Sequence, residues 1–209
     1  MKVTDISPQK NNKHRVSVFV DNEYAFSLDE TDAVLFKVKV GTELSSQDIK
    51  RLTMEGNFTK ARDHAFSLLS HKMLTEKMLT EKLTEKGYDK AVIIEVCREL
   101  VSLGYINDEE YAKVFLEHCR EKLWGKKKIS YEMRQKGLAD ETIALCLESY
   151  CEDDAEDEMV RAIRQKYRLS DLCDFKVKSR IIRFFASRGF DFAFIDKCIT
   201  LATEEEEND

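Results

Sequence analysis

The fold is decided by three similar segments: KLTEKGYDKAVIIEVC at 82–97, EMRQKGLADETIALCL at 132–147 and FFASRGFDFAFIDKCI at 184–199. Their glycines, Gly87, Gly137 and Gly189, are separated by 50 and 52 residues. In each copy an apolar residue lies four positions before the glycine, a basic residue one before, and an isoleucine six after. Internal repetition of this period indicates an architecture made of repeated structural units.

Each glycine has the neighbours expected where one helix ends and the next begins. Glycine adopts a positive φ at little cost, and the base before it complements the negative end of the helix dipole. Amphipathic stretches precede the pairs at 61–72, 108–123 and 154–168. The sequence therefore predicts three tandem three-helix repeats, which together form an elongated, curved, mainly α-helical body.

The first forty residues have a different character. HRVSVFV at 14–20 and EYAFSL at 23–28 are rich in β-branched and aromatic residues, and Asp21–Asn22 between them predicts a β-hairpin turn. FKVKVG at 36–41 is a candidate third extended segment, and helical periodicity begins near Ser45. The predicted organisation is a β-rich extension with a short helix at 1–58, helical repeats at 59–104, 105–151 and 152–203, and an acidic tail at 204–209.

Composition excludes several protein classes. With 7 glycines and 1 proline in 209 residues, the chain has too few turn residues for an all-β protein. No apolar h-region begins the sequence, and no apolar run approaches the roughly 20 residues that span a membrane. The six cysteines form no CxxC pair, which is typical of a reducing compartment. A soluble cytoplasmic protein is expected, without a membrane-spanning segment.

Charge is distributed unevenly along the chain. Six acids lie within 152–158 and five within 204–209; without these eleven, 34 bases face 29 acids, a net charge of +5. The segment 113–136 holds eight bases against three acids. An acidic protein therefore carries one basic segment in its middle repeat, and charge alone does not show whether that segment forms a surface patch.

The sequence offers no site for catalysis. None of the four histidines lies four positions from another or beside a credible nucleophile, and His118 and Cys119, being adjacent on a helix, point apart. P-loop, GxGxxG, HExxH and GxSxG motifs are absent from the sequence. We expect a non-enzymatic binding protein that needs no cofactor or metal.

One longer block, GYINDEEYAKVFLEHCREKLWGKKKISYEMRQKGL at 104–138, resembles the signature of the RecX family of bacterial regulatory proteins. The family pattern runs Gly-Φ-Φ-Asp/Asn-Asp, then Tyr/Phe-Ala, then Gly-x-x-x-Ile-x-x-Glu-Leu-x-x-Lys-Gly. The matching positions that we expect to be structural are Gly104, Asp108, Tyr111, Ala112, Gly125, Ile129, Glu132 and Gly137. The chain departs from the pattern at Glu110, where the family often has arginine, and in its third repeat, which is unusually aromatic.

The resemblance implies a partner. Members of the RecX family bind the RecA recombinase when it forms a filament on single-stranded DNA. They inhibit its ATP hydrolysis, strand exchange and co-protease activity, and so regulate homologous recombination, DNA repair and the SOS response. By resemblance we expect the same partner here, with weak direct DNA binding as an additional possibility and a monomeric protein.

The basic segment supplies the candidate contacts. The residues predicted to face acidic filament surface or DNA phosphates are Arg120, Lys122, Lys126, Lys127, Lys128 and Arg134. Trp124, the only tryptophan, fits either core packing at a helix junction or a binding hot spot. Two other interpretations stay open: a nucleic-acid-binding protein without a recombinase partner, and a generic helical scaffold, which a 34-residue period would favour.

Overall fold

The computed structural model describes residues 1–10, 12, 14–151 and 153–204. Of the predicted acidic tail only Glu204 lies within the described residues. The strands are β1 Val3–Pro8, β2 Arg15–Val20 and β3 Glu23–Asp29. The helices are α1 Glu30–Leu35, α2 Ser46–Leu69, α3 Glu76–Glu85, α4 Lys90–Ser102, α5 Asp108–Glu121, α6 Lys126–Gln135, α7 Asp140–Glu148, α8 Glu156–Lys166, α9 Leu169–Leu172, α10 Phe175–Ala186 and α11 Phe192–Glu204, with a short 3₁₀ helix at Asp153–Ala155.

The N-terminal strands form an antiparallel sheet in the order β1-β2-β3. The predicted hairpin at Asp21–Asn22 is confirmed: both residues have positive φ, 48° and 69°, as a two-residue hairpin turn requires. The expected third segment at 36–41 is wrong, because β1 supplies the third strand and these residues form turns and irregular chain. Pairing with β2 satisfies the backbone hydrogen-bonding groups of β1. The alternating pattern at 36–41 is a local feature and gives no information about this pairing.

Helix α2 links the sheet to the first repeat. The side chain of Ser45 accepts from the backbone N–H of Asp48, whose carboxylate accepts from the backbone of Ser45, so a capping box starts the helix. The helix then runs for 24 residues through the predicted boundary at 58/59. Gly56 lets β3 approach closely, since a Cβ there would lie 1.9 Å from the carbonyl oxygen of Ser27.

The predicted helix–glycine–helix pattern is confirmed in all three repeats. Gly87, Gly137 and Gly189 follow α3, α6 and α10 with φ of 80°, 89° and 91°. The apolar residues four positions before them, Leu83, Met133 and Phe185, are buried. Burying side chains of this size contributes about 1.5–3 kcal/mol each. The shared pattern therefore fixes both the turn and the core position beside it.

Within the described residues, four hydrophobic cores follow the chain in order. The first joins the sheet to Leu52 of α2, and the second joins Ala61 and Ala65 of the same helix to α3 and α4. The third lies among α5, α6 and α7, and the fourth among α8, α10 and α11. The predicted class, mainly α-helical with three tandem three-helix units and a small N-terminal β-hairpin module, is confirmed.

The chain divides into two compact units, Met1–Ile106 and the remainder from Asn107. The first unit holds the sheet and repeat 1, and the second holds repeats 2 and 3. Among the helices that the structure describes, none combines the length and the apolar character needed to cross a membrane.

Candidate interaction surface in repeat 2

Helix α5 contains the first part of the basic segment. Its N-cap is Asn107, whose side-chain oxygen accepts from the backbone N–H of Glu110 at 3.0 Å, as the sequence predicts. The helix buries Ala112, Leu116 and Cys119 in the core of repeat 2. The chain then leaves the helix through Leu123, which adopts a positive φ of 50°.

The positive φ of Leu123 is uncommon for a bulky residue, and its packing explains it. The side chain of Leu123 packs against the core of repeat 3, whereas that of the next residue, Trp124, packs in the core of repeat 2. The turn after α5 therefore sends consecutive side chains into two different cores. This arrangement holds the two repeats of the second unit together.

Two glycines complete this contact between repeats 2 and 3. The backbone N–H of Gly125 donates to the carbonyl oxygen of Arg188 at 2.8 Å. A Cβ at Gly125 would lie 2.7 Å from the carbonyl oxygen of Gly189, and a Cβ at Gly189 would lie 2.5 Å from the backbone nitrogen of Lys128. Only glycine at both positions allows the two backbones to touch.

Three aromatic side chains lie in a row beside this contact. The rings of Tyr111 and Phe115 stack with centroids 6.1 Å apart, and the ring of Phe115 meets that of Trp124 edge-on at 6.4 Å. All three are partly exposed while packing against the repeat 2 core. Aromatic residues in such positions offer apolar contact area at a low cost in conformational entropy.

Lysine ammonium groups lie over the rings of this aromatic row. Lys122 Nζ is 5.3 Å and Lys128 Nζ 4.8 Å from the centroid of Trp124, and Lys136 Nζ is 4.9 Å from that of Phe115. These distances lie within the range of cation–π attraction. The three rings and the three lysines together are called the repeat 2 surface: Tyr111, Phe115, Trp124, Lys122, Lys128 and Lys136.

The structure separates the six predicted contact residues into groups. Only Lys122 and Lys128 meet on the tryptophan. Arg120 donates to the carbonyl oxygen of Ser149 at 2.6 Å and pairs with a neighbouring glutamate, and Arg134 pairs with Asp140 at 2.7 Å. Both arginines therefore already have partners within the protein, although ion pairs as exposed as that of Arg134 contribute only about 0–1 kcal/mol.

Lys126 and Lys127 are exposed in the first turn of α6, beside the less exposed Lys128. The N-terminus of a helix carries partial positive charge, so each lysine there costs about 0.3–1 kcal/mol. The N-cap, Gly125, has no side chain to offset this. The arrangement lowers helix stability and concentrates positive charge beside Trp124, as an anion-binding surface requires.

The family-signature positions lie mainly inside the repeat. Ala112, Gly125 and Ile129 are buried, and Gly104 and Gly137 have positive φ at helix ends. Asp108 opens α5, and Tyr111 belongs to the aromatic row. Glu132 is partly exposed on α6.

A buried thiol and a cavity lie near this surface. Burial raises the pKa of the Cys119 thiol to about 12, so the thiol stays protonated at neutral pH. A cavity of about 230 Å³ between the helices of repeats 2 and 3 is lined by four acids and by Arg120, Tyr150 and three apolar or sulfur-containing residues. Within the described residues no group of three His, Cys, Asp or Glu side chains is placed to hold a metal.

Sequence reasoning did not identify Lys136 and Phe115 as part of the surface. The sequence shows Lys136 as the base before a repeat glycine, which explains it as a helix cap. Phe115 follows Tyr111 at helical spacing, which predicts packing. Their spacing to Trp124 depends on the turn at Leu123, and no local pattern in the sequence indicates that turn.

Family models match three parts of the chain. The model described as the N-terminal domain of regulatory protein RecX matches residues 1–45, the first three-helix domain of RecX matches 61–100, and the second matches 107–147. Together they cover more than half of the chain. The matched three-helix domains correspond to repeats 1 and 2.

Curated relatives extend the similarity along the chain. A regulatory protein RecX of Caldanaerobacter subterraneus is 34% identical over 196 residues, covering 94% of this chain and 96% of that protein. Those of Bacillus pumilus and Bacillus subtilis are 31% and 30% identical, each covering 99% of this chain and 80% and 79% of their own lengths. All three are named as regulatory proteins.

Solved structures agree in fold. A crystal structure of regulatory protein RecX matches with a TM-score of 0.70 at 23% identity, covering 93% of this chain and 97% of that one. The crystal structure of RecX from Lactobacillus salivarius matches with a TM-score of 0.62 at 22% identity, covering 70% and 96%. From the family models, the relatives and the fold together, the chain belongs to the RecX family of regulatory proteins.

Proposed function

We propose that this protein is a non-enzymatic regulator that binds a RecA recombinase filament on single-stranded DNA and inhibits its ATP hydrolysis, strand exchange and co-protease activity. Membership of a family of regulatory proteins supports a regulator. The observation that carries the proposal to a particular surface is the pair of lysines, Lys122 and Lys128, over the partly exposed Trp124.

The proposal assigns the filament contact to the repeat 2 surface. Tryptophan is enriched at the centres of binding interfaces, where it buries a large area. Lys122 and Lys128 lie within cation–π range of its ring and form no ion pair with a described acid, so an acidic partner can pair with them without displacing an internal carboxylate. Arg120 and Arg134, already paired, contribute less in this proposal.

The test is DNA-dependent ATP hydrolysis by the RecA recombinase of the same organism on single-stranded DNA, with the protein titrated from far below to equal molar ratio. We expect hydrolysis to be inhibited at molar ratios well below one protein per recombinase subunit, because one regulator that acts on a filament affects many subunits. Unchanged hydrolysis at equal molar ratio, with filaments intact by electron microscopy, would contradict the proposal.

Competition for DNA is the alternative explanation of lost hydrolysis. The same assay distinguishes competition from regulation of the filament. A competitor must cover the DNA, so its effect scales with the DNA concentration and disappears when DNA is in excess. For a filament regulator, the ratio of regulator to DNA-bound recombinase determines the inhibition. If that ratio is held constant, adding more DNA should leave the fractional inhibition unchanged.

A further inference from the structure

Repeat 3, which lies beyond the residues matched by the family models, carries its own cluster of cations around an aromatic ring. The guanidinium carbon of Arg188 lies 3.6 Å from the centroid of Phe184, and Lys166 Nζ lies 5.0 Å from the same centroid. The ring of Tyr167 is 5.9 Å from the same ammonium group. These four residues are the repeat 3 cluster.

The repeat 3 cluster is assembled from three places in the chain. Lys166 is the last residue of α8, Phe184 lies near the end of α10, and Arg188 follows α10 just before the repeat glycine. Phe184 is 39% exposed, and Lys166 is exposed. The ring of Phe184 meets that of the buried Phe185 edge-on, with centroids 5.0 Å apart, so it packs against the core while part of its surface remains accessible.

Neither cation of the cluster is paired with an acid in the part of the chain that the structure describes. Among the described residues Lys166 and Arg188 form no ion pair, although α8 begins with three acids. Burial lowers the pKa of the Arg188 guanidinium, which means that the charged form is less well solvated than on an open surface. An external anion would therefore meet positive charge that neither a described acid nor full hydration offsets.

The backbone next to the repeat 2 surface is in contact with the backbone next to the repeat 3 cluster. Gly125, next to Trp124, donates to the carbonyl oxygen of Arg188. The backbone nitrogen of Lys128 would lie 2.5 Å from a Cβ at Gly189, which follows Arg188. Two pairs of cations, each held on one aromatic ring, thus flank a single glycine contact within the second unit.

We propose that the repeat 3 cluster is a binding site for the sugar-phosphate backbone of single-stranded DNA and that it extends the repeat 2 surface across the Gly125–Gly189 contact. Cations already held on a ring lose little conformational freedom when they pair with a phosphate. Exposed rings next to phosphate-binding cations also suit unstacked bases, which stack on aromatic side chains without sequence preference.

A regularly repeated ligand fits this arrangement better than an acidic protein segment does. Each ring holds two cations, and the pattern occurs once in each of two consecutive repeats. A single strand presents charges at regular intervals with a base beside each one, whereas the spacing of carboxylates and aromatic rings on a protein segment varies with its sequence. The proposal concerns contact with DNA itself and does not depend on the proposed inhibition of a recombinase.

The test is the salt dependence of binding to a fluorescently labelled thymidine 20-mer, measured by anisotropy without recombinase. The variant Lys166→Gln/Arg188→Gln removes the two cations of the cluster. Each phosphate contact on a single strand contributes about −0.7 to the slope of log K against log salt, so the slope should become shallower by about 1.4.

The matched control is Lys176→Gln/Arg180→Gln, which removes two exposed charges from α10 of the same repeat. We expect its slope to equal that of the wild-type protein. If the two double variants change the slope equally, or if neither does, the proposal is wrong. Circular dichroism and thermal unfolding of both variants verify that the repeat is folded.

A second measurement identifies the class of ligand. Trp124 is the only tryptophan, so its fluorescence reports on the adjacent repeat 2 surface. Thymidine 20-mer should quench it, and poly-glutamate carrying the same number of charges should bind at least about tenfold more weakly at the same salt concentration. The proposal would be overturned, in favour of an acidic protein segment, by two results together: the wild-type protein binds poly-glutamate as tightly as the 20-mer, and Lys166→Gln/Arg188→Gln weakens both interactions equally.

Discussion

Helices α3 and α6 occupy the same place in repeats 1 and 2 but begin in opposite ways. Both have ten residues and end at a lysine followed by a repeat glycine. The N-cap of α3 is Thr75, whose hydroxyl accepts from the backbone N–H of Met78, and its first turn holds Glu76. The N-cap of α6 is Gly125, without a side chain, and its first turn holds three lysines.

The shared end and the different start have different causes. The end of each helix obeys the rules for stability: a buried apolar residue, a base and a glycine with positive φ. The start of α3 obeys them as well, with a cap and an acid. The start of α6 has glycine, which is also a common N-cap, but its three first-turn lysines oppose the helix dipole, and such local violations are expected at functional sites. Repeat 1 therefore shows what the unit needs for folding, and the lysines of repeat 2 are the difference that the proposed binding surface would explain.

The largest effect is expected from substituting alanine at the two N-caps. Thr75→Ala removes a helix cap and should lower the free energy of unfolding by about 1 kcal/mol. Gly125→Ala inserts a Cβ 2.7 Å from the Gly189 carbonyl oxygen, which adds overpacking of about 1–3 kcal/mol and strains the hydrogen bond to Arg188. Urea unfolding, followed by circular dichroism, measures both.

The control for the Gly125→Ala variant is Gly87→Ala. No atom lies within 4 Å of the Cβ position at Gly87, so only the positive φ opposes alanine, at a cost of about 1–2 kcal/mol. A Gly125→Ala protein as stable as the wild type would mean that the glycine contact does not hold repeats 2 and 3 together.

A smaller effect, of opposite sign in the two repeats, is expected from the charges in the first turns. Lys127→Gln removes an unfavourable charge and should raise the free energy of unfolding by about 0.3–1 kcal/mol, whereas Glu76→Gln removes a favourable one and should lower it. Thermal unfolding at low ionic strength measures the difference, which added salt should diminish.

The Lys127→Gln substitution should change binding affinity and protein stability in opposite directions. The more stable variant should bind the filament or DNA more weakly, because the same lysine that destabilises the helix attracts the anionic partner. A variant that lost stability, or that gained both stability and binding, would mean that the lysines at the start of α6 serve the fold and not the partner.

Local chemistry in the sequence was sufficient for much of the fold. The hairpin turn at Asp21–Asn22, the start of α2 at Ser45, the cap at Asn107 and the repeat glycines all depend on residues near each other in the chain. The pairing of β1 and the full length of α2 depend on partners far along the chain. Periodicity at 36–41 therefore suggested the wrong third strand.

The candidate surface could be predicted only in part, for the same reason. Counting charges identified the basic segment, but not which of its members are neutralised: Arg134 pairs with Asp140, whereas Lys128 lies on Trp124. The contact between Gly125 and Gly189 joins positions 64 residues apart. The sequence shows each of the two glycines as part of a local motif, and only the packed structure shows that their backbones meet.

The central claim is that repeat 2, and not repeat 1, binds the recombinase filament through the lysines on Trp124. The most direct test compares inhibition of DNA-dependent ATP hydrolysis by Lys122→Gln/Lys128→Gln with that by Lys86→Gln/Lys90→Gln, which removes two exposed lysines from repeat 1. We predict that the repeat 2 variant needs at least about tenfold more protein for half-inhibition, equivalent to about 1.4 kcal/mol, while the repeat 1 variant inhibits like the wild type. Equal potency of the two variants would contradict the claim.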